Sequence, residues 1–466
     1  MTSIETDAAA GAGMSASARA WAAFQGGRDP YITLVSIYIF MPYVATVLVG
    51  DAVKGQGLIA AYGFLGGLVA ALTAPLLGAA ADRIGRRKPA IAAISLVFAP
   101  LVFALWWAKP NGAGLSIPTI LLMTLVISLL YTYSEVLHNS LITWSARNAR
   151  DASTMSGTAL ALGNVVSVAA LVFVLWAFAL PGKVHWSFVP AAPLFGLDSA
   201  LGESARIAAP IAAVLLAIGL VPLLLFAQDA PRRAGSMGAA LVGGARDLVA
   251  LVRSVRHHRD AAIFLGSRML FSDAQIALII FCGIYAAGVM HWGVLEMTAF
   301  GILMSTCAAL GGLLSSVLDR RLGPKRALQV EIVGTIVGIV ALLGVSPTGV
   351  RFVYTVAAGA VPLWNGPVFT KSPELVFLAI GGIVAVFNTA IFASSRTLLT
   401  RLIPPGQSGA FFGLFALSGT ATVWLGPLAV QTAVSTFHSQ QAGNVAIAIL
   451  MALGFIPLSL VRDRRD

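Results

Sequence analysis

Apolar positions in this chain do not alternate with polar ones. They fill whole segments, and small clusters of charge, glycine or proline cut the segments off. A run of about twenty apolar residues rises ~30 Å as a helix, the thickness of a bilayer core. The pattern predicts such helices over Pro30–Val49, Leu58–Ala81, Pro89–Trp107, Ile117–Thr143, Ser153–Leu180 and Arg206–Ala227. After a polar interval they resume over Ala262–Val289, Val294–Leu318, Ala327–Val345, Glu374–Thr397, Ser408–Ala433 and Gly443–Val461. The expected fold is therefore an all-α membrane protein of twelve transmembrane helices in two six-helix bundles, 30–227 and 262–461. Residues 1–29, rich in Ala, Gly and Ser, read as a disordered cytoplasmic tail, and 462–466 as a second short tail. The interval 228–261 reads as a basic cytoplasmic linker. In it Leu241, Leu248, Leu251, Val252 and Val255 share one side, as an amphipathic helix lying on a leaflet would place them.

Composition agrees with the pattern. Hydrophobic residues make up 58% and charged ones 11%, which excludes an ordinary soluble domain. The formal charge of +11 does not point to nucleic acid, because the bases sit in short loops with no interleaved aromatics. Of the 30 Lys and Arg, all but seven fall on one side if both termini are cytoplasmic. The exceptions are Lys54, Lys109, Lys183, Arg206, Arg351 and Lys371 outside and Arg268 within a helix. That asymmetry predicts the orientation. Cys282 and Cys307 lie inside apolar runs and form no metal or disulfide pattern. No phosphate-binding loop follows a strand, and no nucleophile–base constellation is present. No cofactor, metal or enzymatic function is expected.

The densest motif is Gly78-Ala-Ala-Ala-Asp82-Arg83-Ile-Gly85-Arg86-Arg87-Lys88, between the second and third runs. Gly78 permits close helix contact, Gly85 a tight turn, and four bases fix the loop on the cytoplasmic side. A weaker copy, Asp319, Arg321, Gly323 and Lys325, follows 238 residues later at Gly323. Asn139 and Asn388, Ser145 and Ser394, and Arg147 and Arg396 echo one another at an offset of 249. Repeats of this kind are expected of a transporter built from duplicated halves. The spacing G-x-x-x-D-R-x-G-R-R-K resembles the loop between the second and third helices of the major facilitator superfamily. Asp82 would then act as a conformational lock against the other bundle.

A narrower resemblance lies in the second half. Arg268-Met-Leu-Phe-Ser-Asp273, Ile284-Tyr-Ala-Ala-Gly288, Leu322-Gly-Pro-Lys325, Arg401-Leu-Ile-Pro404, Phe411-Phe-Gly413, Ala416-Leu-Ser-Gly419 and Leu425-Gly-Pro427 resemble the bacterial "unknown major facilitator" family. That family is related to the autophagy-linked vacuolar effluxers of fungi, and the resemblance implies a twelve-helix transporter with amino acids as the first solutes to consider. Ala410 and Thr420 stand where the family tends to carry Glu and Lys, and Asp29-Pro-Tyr31 replaces its Asp-Trp-Ala-Asn run.

Charges at bilayer depth are costly, so each is a functional candidate. Glu135 and His138, one turn apart on the fourth helix, are candidates for proton coupling, with Asp273 on the seventh. Tyr131, Asn139, Asn164, Arg268, Gln275, Asn388 and Arg396 are candidates for the substrate cleft. Asp273 has no acid or base one turn away and is expected to meet a substrate amine or to pair with Arg396. Trp106, Trp107, Trp186, Trp292 and Trp364 read as interfacial anchors. No cluster of aromatics that would cage a lipophilic cation stands out. The combined expectation is a monomeric secondary transporter in the inner membrane, moving a small polar solute by alternating access, with proton-coupled efflux. The rival readings are an uncoupled facilitator and a receptor or enzyme on the same fold.

Overall fold

The computed structural model describes residues 14–462, except 148, 232–237, 239–241, 245, 247–248, 250–252, 254–257, 352, 357–360 and 404–407. The side chains of 82, 143, 149–153 and 408–410 also lie outside the description. The helices follow the apolar runs: α2 is Ala52–Ile84, α3 Lys88–Ala104, α4 Ile117–Ser140, α5 Ala149–Val174, and α6 Ala208–Phe226. The second half gives α7 as Arg259–Met290, α8 Val294–Leu322, α9 Pro324–Leu342 and α10 Ser372–Leu402. The last two are α11, in two pieces at Ser408–Thr420 and Leu425–Phe437, and α12, Gln440–Leu460. Local chemistry sets their ends. Asp51 accepts hydrogen bonds from the Val53 and Lys54 amides at the start of α2. Gly85 (φ 94°) and Gly323 (φ 81°) turn the chain out of α2 and α8 in backbone conformations that a side chain would strain.

Eleven helices among the described residues are long and apolar enough to cross a membrane. The twelfth, α9, falls short by charge only, because Lys325, Arg326 and Glu331 crowd its first half. The first span differs from expectation: α1 runs Ala16–Leu48, so a disordered tail through residue 29 is incorrect. Ala18, Trp21, Phe24 and Arg28 are buried there against α5 and α6. The small residues that suggest a flexible tail instead let helices approach closely. A side chain at Gly27 would collide with the α6 backbone at Leu215 and Gly219. Between α9 and α10 three two-residue strands form a small antiparallel sheet where the sequence pattern predicts only a loop. These are β1 Val345–Ser346, β2 Gly349–Val350 and β3 Tyr354–Thr355, with Val345 opposite Val350 and Gly349 opposite Thr355.

Packing divides the helices into two bundles of matching plan. In the first, α1 packs on α5 and α6, α2 on α4, and α3 on α6; in the second, α7 packs on α11 and α12, α8 on α10, and α9 on α12. The bundles meet through α2 against α11 and α5 against α8, which exchange under the same pseudo-two-fold.

The repeated loop motif performs the same task in each half. Lys88 Nζ donates to the Ala227 carbonyl at the end of α6 (2.7 Å), and Lys325 Nζ to the Ser459 carbonyl near the end of α12 (2.9 Å). Arg87 is buried and bonds Ser140 at the end of α4 (2.7 Å), while Asp229 accepts from the Arg87 and Lys88 amides at the start of α3. Arg83 and Arg86 are exposed. A side chain at Gly78 would reach Val136 of α4 at 3.2 Å, as its close-contact reading requires. The lock assigned to Asp82 and the apolar side of the linker, Leu241, Leu248, Leu251, Val252 and Val255, lie outside the described residues. Residues 242–244 of the linker are helical, and Gly243 lies against the Arg83 guanidinium.

The echo at offset 249 does not survive as structural equivalence. Regular helix stops at Ser140 in α4 but continues to Leu402 in α10. Asn139 therefore lies exposed at the end of its helix and Asn388 buried in the middle of its own.

Candidate functional site

Two interrupted helices frame a cavity between the bundles. In α1 the break follows from Pro30, which has no N–H to offer the Gly26 carbonyl. The Ile32 and Thr33 amides both turn to the Asp29 carbonyl (3.0 and 3.4 Å), and from Tyr31 to Tyr38 the helix widens to the π form. Such segments are frequent at functional sites. In α11 the break spans 421–424, and α7 holds both sides of it. Arg268 Nη1 donates to the Phe415 carbonyl (2.6 Å) and to Ser418 Oγ (2.7 Å), with its guanidinium 3.6 Å from the Phe415 ring centroid. Asp273 Oδ2 accepts from the Gly426 amide (2.6 Å) at the start of the second piece. Thr422 Oγ1 donates to the Met269 carbonyl (2.7 Å) between them. The cation thus sits at the negative end of one half-helix and the anion at the positive end of the next.

The cavity has a volume of about 320 Å³ and is walled by α1, α2, α4, α7 and α11. Glu135 is the one charged side chain among its lining residues, and Tyr31, Tyr62, Tyr131 and Phe281 supply aromatic wall. The expectation that no aromatics gather at the cleft is corrected here. They come from four helices and are far apart in sequence, so only the fold assembles them. Gly63 and Gly67 of α2 let Pro427 and Trp424 of α11 close in from the other bundle.

Behind the Glu135 wall lies a charged cluster that the sequence pattern assigns to the tail. Arg28, 2% exposed, has its guanidinium 4.9 Å from the Tyr131 ring centroid and pairs with Asp29 (3.3 Å). Its Nε and Nη1 have no hydrogen-bond partner among the described residues. Gln25 donates to Asp29 (3.1 Å), and Gly163 of α5 leaves the space that Asp29 occupies. Arg28 and Asp29 lie within electrostatic reach of Glu135. Trp21 and Phe24, one turn apart and bracketing this stretch with alanines, are the signal that would have revealed a helix here.

The remaining sequence candidates separate. His138 does not face Glu135 across a shared proton. It stacks on Trp21 at 4.2 Å, its Nε2 lies 2.9 Å from the Trp21 carbonyl, and Trp21 Nε1 donates to the His138 carbonyl (2.7 Å). That reciprocal pair clamps α1 to α4. Gln275 and Asn388 come together: Gln275 Nε2 donates to the Asn388 carbonyl (2.8 Å) and ties α7 to α10. Asp273 makes no ion pair with Arg396, because its carboxylate is turned to α11 while Arg396 is exposed on α10. Asn164 is exposed on α5. Trp292 is buried against Phe300, Phe369 and Phe377 and bonds Glu374, so it is no interfacial anchor. Glu331, which the sequence pattern does not single out, is fully buried in α9 and accepts from Ser394 of α10 (2.8 Å). Among the described residues no group of three His, Cys, Asp or Glu side chains could hold a metal.

Twelve helices among the described residues form two pseudo-symmetric bundles with a cavity between interrupted helices, the fold of the major facilitator transporters. Residues 59–466 match the family described as "Vacuole effluxer Atg22 like", and the chain belongs to that family. Among curated proteins it is similar to Autophagy-related protein 22 of Yarrowia lipolytica (22% identical, 68% of this chain and 52% of that protein). The counterpart from Pichia angusta is 23% identical over 43% of this chain and 34% of its own length. The chain thus spans only a third to a half of these relatives. Among solved structures it superposes on a point mutant of the nucleoside transporter NupG (TM-score 0.63, 16% identity, 96% of this chain and 98% of that one). A D-xylose-proton symporter gives the same TM-score at 11% identity, covering 96% of this chain and 97% of that one. So does an inward-facing, unoccupied bacterial homolog of the lysosomal transporter Spinster, at 15% identity and 97% of each chain. At such identities these neighbours establish the fold alone.

Proposed function

We propose that this protein is a proton-coupled secondary transporter that exports a small polar solute, amino acids being the first class to test. It would work as a monomer in the inner membrane by alternating access, with both termini cytoplasmic. The observation that carries the reading is the single carboxylate, Glu135, on the wall of a cavity shared by both bundles. An acid held at bilayer depth beside aromatic surface serves either a solute's cationic group or a coupling proton. Glu135 meets both descriptions; His138 and Asp273 are engaged in helix contacts and meet neither. The family's description as effluxers supports the direction. The excess of bases around the Gly85 and Gly323 turns supports the orientation.

In proteoliposomes Glu135→Gln is expected to abolish uptake driven by a pH gradient while substrate counterflow continues at saturating solute, since exchange moves no net proton. A variant that still concentrates solute under the gradient would leave the uncoupled facilitator as the better reading.

A further inference from the structure

The two walls of the cavity carry opposite charge. On the first bundle the lining charge is Glu135. On the second, Arg268 of α7 lies directly behind Gly419, a lining residue: a side chain built at 419 would stand 3.0 Å from Nη1 and 3.2 Å from Nη2. With glycine there, no side chain stands between the guanidinium and that stretch of the lining. Arg268 is 7% exposed, its Nε has no hydrogen-bond partner, and no carboxylate among the described residues pairs with it. A buried guanidinium without an acid beside it is an arrangement that an incoming anion would relieve. Arginine is also suited to a carboxylate, which its planar fork can hold with two hydrogen bonds.

We infer that Arg268 receives the anionic group of the solute while Glu135 receives its cationic group, so that the cavity selects zwitterions. The inference rests on the amino-acid reading above and adds which bundle reads which end of the molecule. A zwitterion held this way spans the interface. Its amine is anchored in one bundle and its carboxylate in the other, so that binding draws the two together. Arg268 is also the residue that steadies the first piece of α11 at Phe415 and Ser418. Occupancy of the site would therefore be felt at the break in that helix.

The test uses three compounds of one skeleton: L-phenylalanine, its decarboxylated amine phenethylamine, and its deaminated acid 3-phenylpropanoate. Binding to the purified full-length protein is measured by calorimetry at constant pH. The wild type is expected to bind phenylalanine at least about tenfold more tightly than either half-molecule, as loss of a charge-assisted hydrogen bond implies. Arg268→Gln should bring phenylalanine down to the level of phenethylamine and leave phenethylamine itself unchanged. Gly419→Ala, which sets a methyl group against the guanidinium and keeps Arg268 in place, should lower the same ratio, which covers the case that the first variant is unstable. Glu135→Gln should instead bring phenylalanine down to the level of 3-phenylpropanoate. If the wild type prefers phenylalanine but the Arg268→Gln and Gly419→Ala variants both keep the preference over phenethylamine, Arg268 is a brace for α11 only, and the amino-acid reading stands without this assignment. If the wild type binds none of the three, both readings fall together.

Discussion

Trp21 and His138 show what a lone intramembrane histidine can be for. Each ring lies on the other and each side chain reaches the other's backbone carbonyl, so the pair behaves as one contact between α1 and α4. Trp21→Ala removes the ring from both and should lower stability by about 3 kcal/mol, read as a fall in melting temperature in detergent. His138→Gln, which can still reach the Trp21 carbonyl, should keep proton-driven transport. Loss of coupling in a well-folded His138→Gln protein would return this histidine to the proton pathway.

Among single residues the sequence makes the rare charges visible as types but not their partners. Glu135, Arg268 and Asp273 are conspicuous because few charges lie in apolar runs, and all three sit at the cavity or at the break beside it. What each faces depends on helices far away along the chain: Phe415 and Ser418 for Arg268, Gly426 for Asp273. Arg28 is hidden for the opposite reason. Its neighbours are small, and small residues read as flexible chain until a second helix is known to press on them.

At the scale of elements, the lengths and order of the helices are legible because a bilayer-spanning run needs no tertiary information. Interruptions are not. Pro30 reads as the start of a helix, which is a common place for proline, when it is the point where a longer one changes pitch. The break in α11 falls in the sequence Ala421-Thr-Val-Trp424, which contains neither glycine nor proline. Pro427 just beyond it has no N–H to offer the Val423 carbonyl, and α7 offers a carboxylate to the new helix start at Gly426. Asp273→Ala takes that acceptor away, a loss worth about 1–2 kcal/mol at a helix start. The amides of Leu425, Gly426 and Leu428 should then exchange with deuterium roughly tenfold faster, whereas those of α12 should not. Unchanged protection at 425–428 would mean that packing on α2 and α12 holds the second piece without Asp273.

For the whole molecule, the duplicated loop motif is a sound guide to plan and a poor one to detail. Lys88 and Lys325 close their bundles in the same way, but the asparagines that echo along α4 and α10 do not occupy matching depths. Register within a pair of related helices drifts once one of them is longer, and short sequence echoes cannot report it. The proposed orientation is open to direct test. With Cys282 and Cys307 replaced, a cysteine at Arg253 should react with a membrane-impermeant maleimide only after the membrane is opened, and one at Lys183 in intact cells. Labelling at 253 in intact cells would invert the topology.

Around the cavity, glycine brings the two bundles together backbone to backbone. Gly283 of α7 meets the Ile37 carbonyl of α1, and Gly67 of α2 meets the Trp424 backbone of α11. A door made of side chains can open one rotamer at a time and leak as it does. A seal made of main chain has nothing to swing aside: it parts only when whole helices move away together. If the protein works by alternating access as proposed, parting of the bundles at these contacts is expected to be an all-or-none event, with no partial opening for small ions between turnovers.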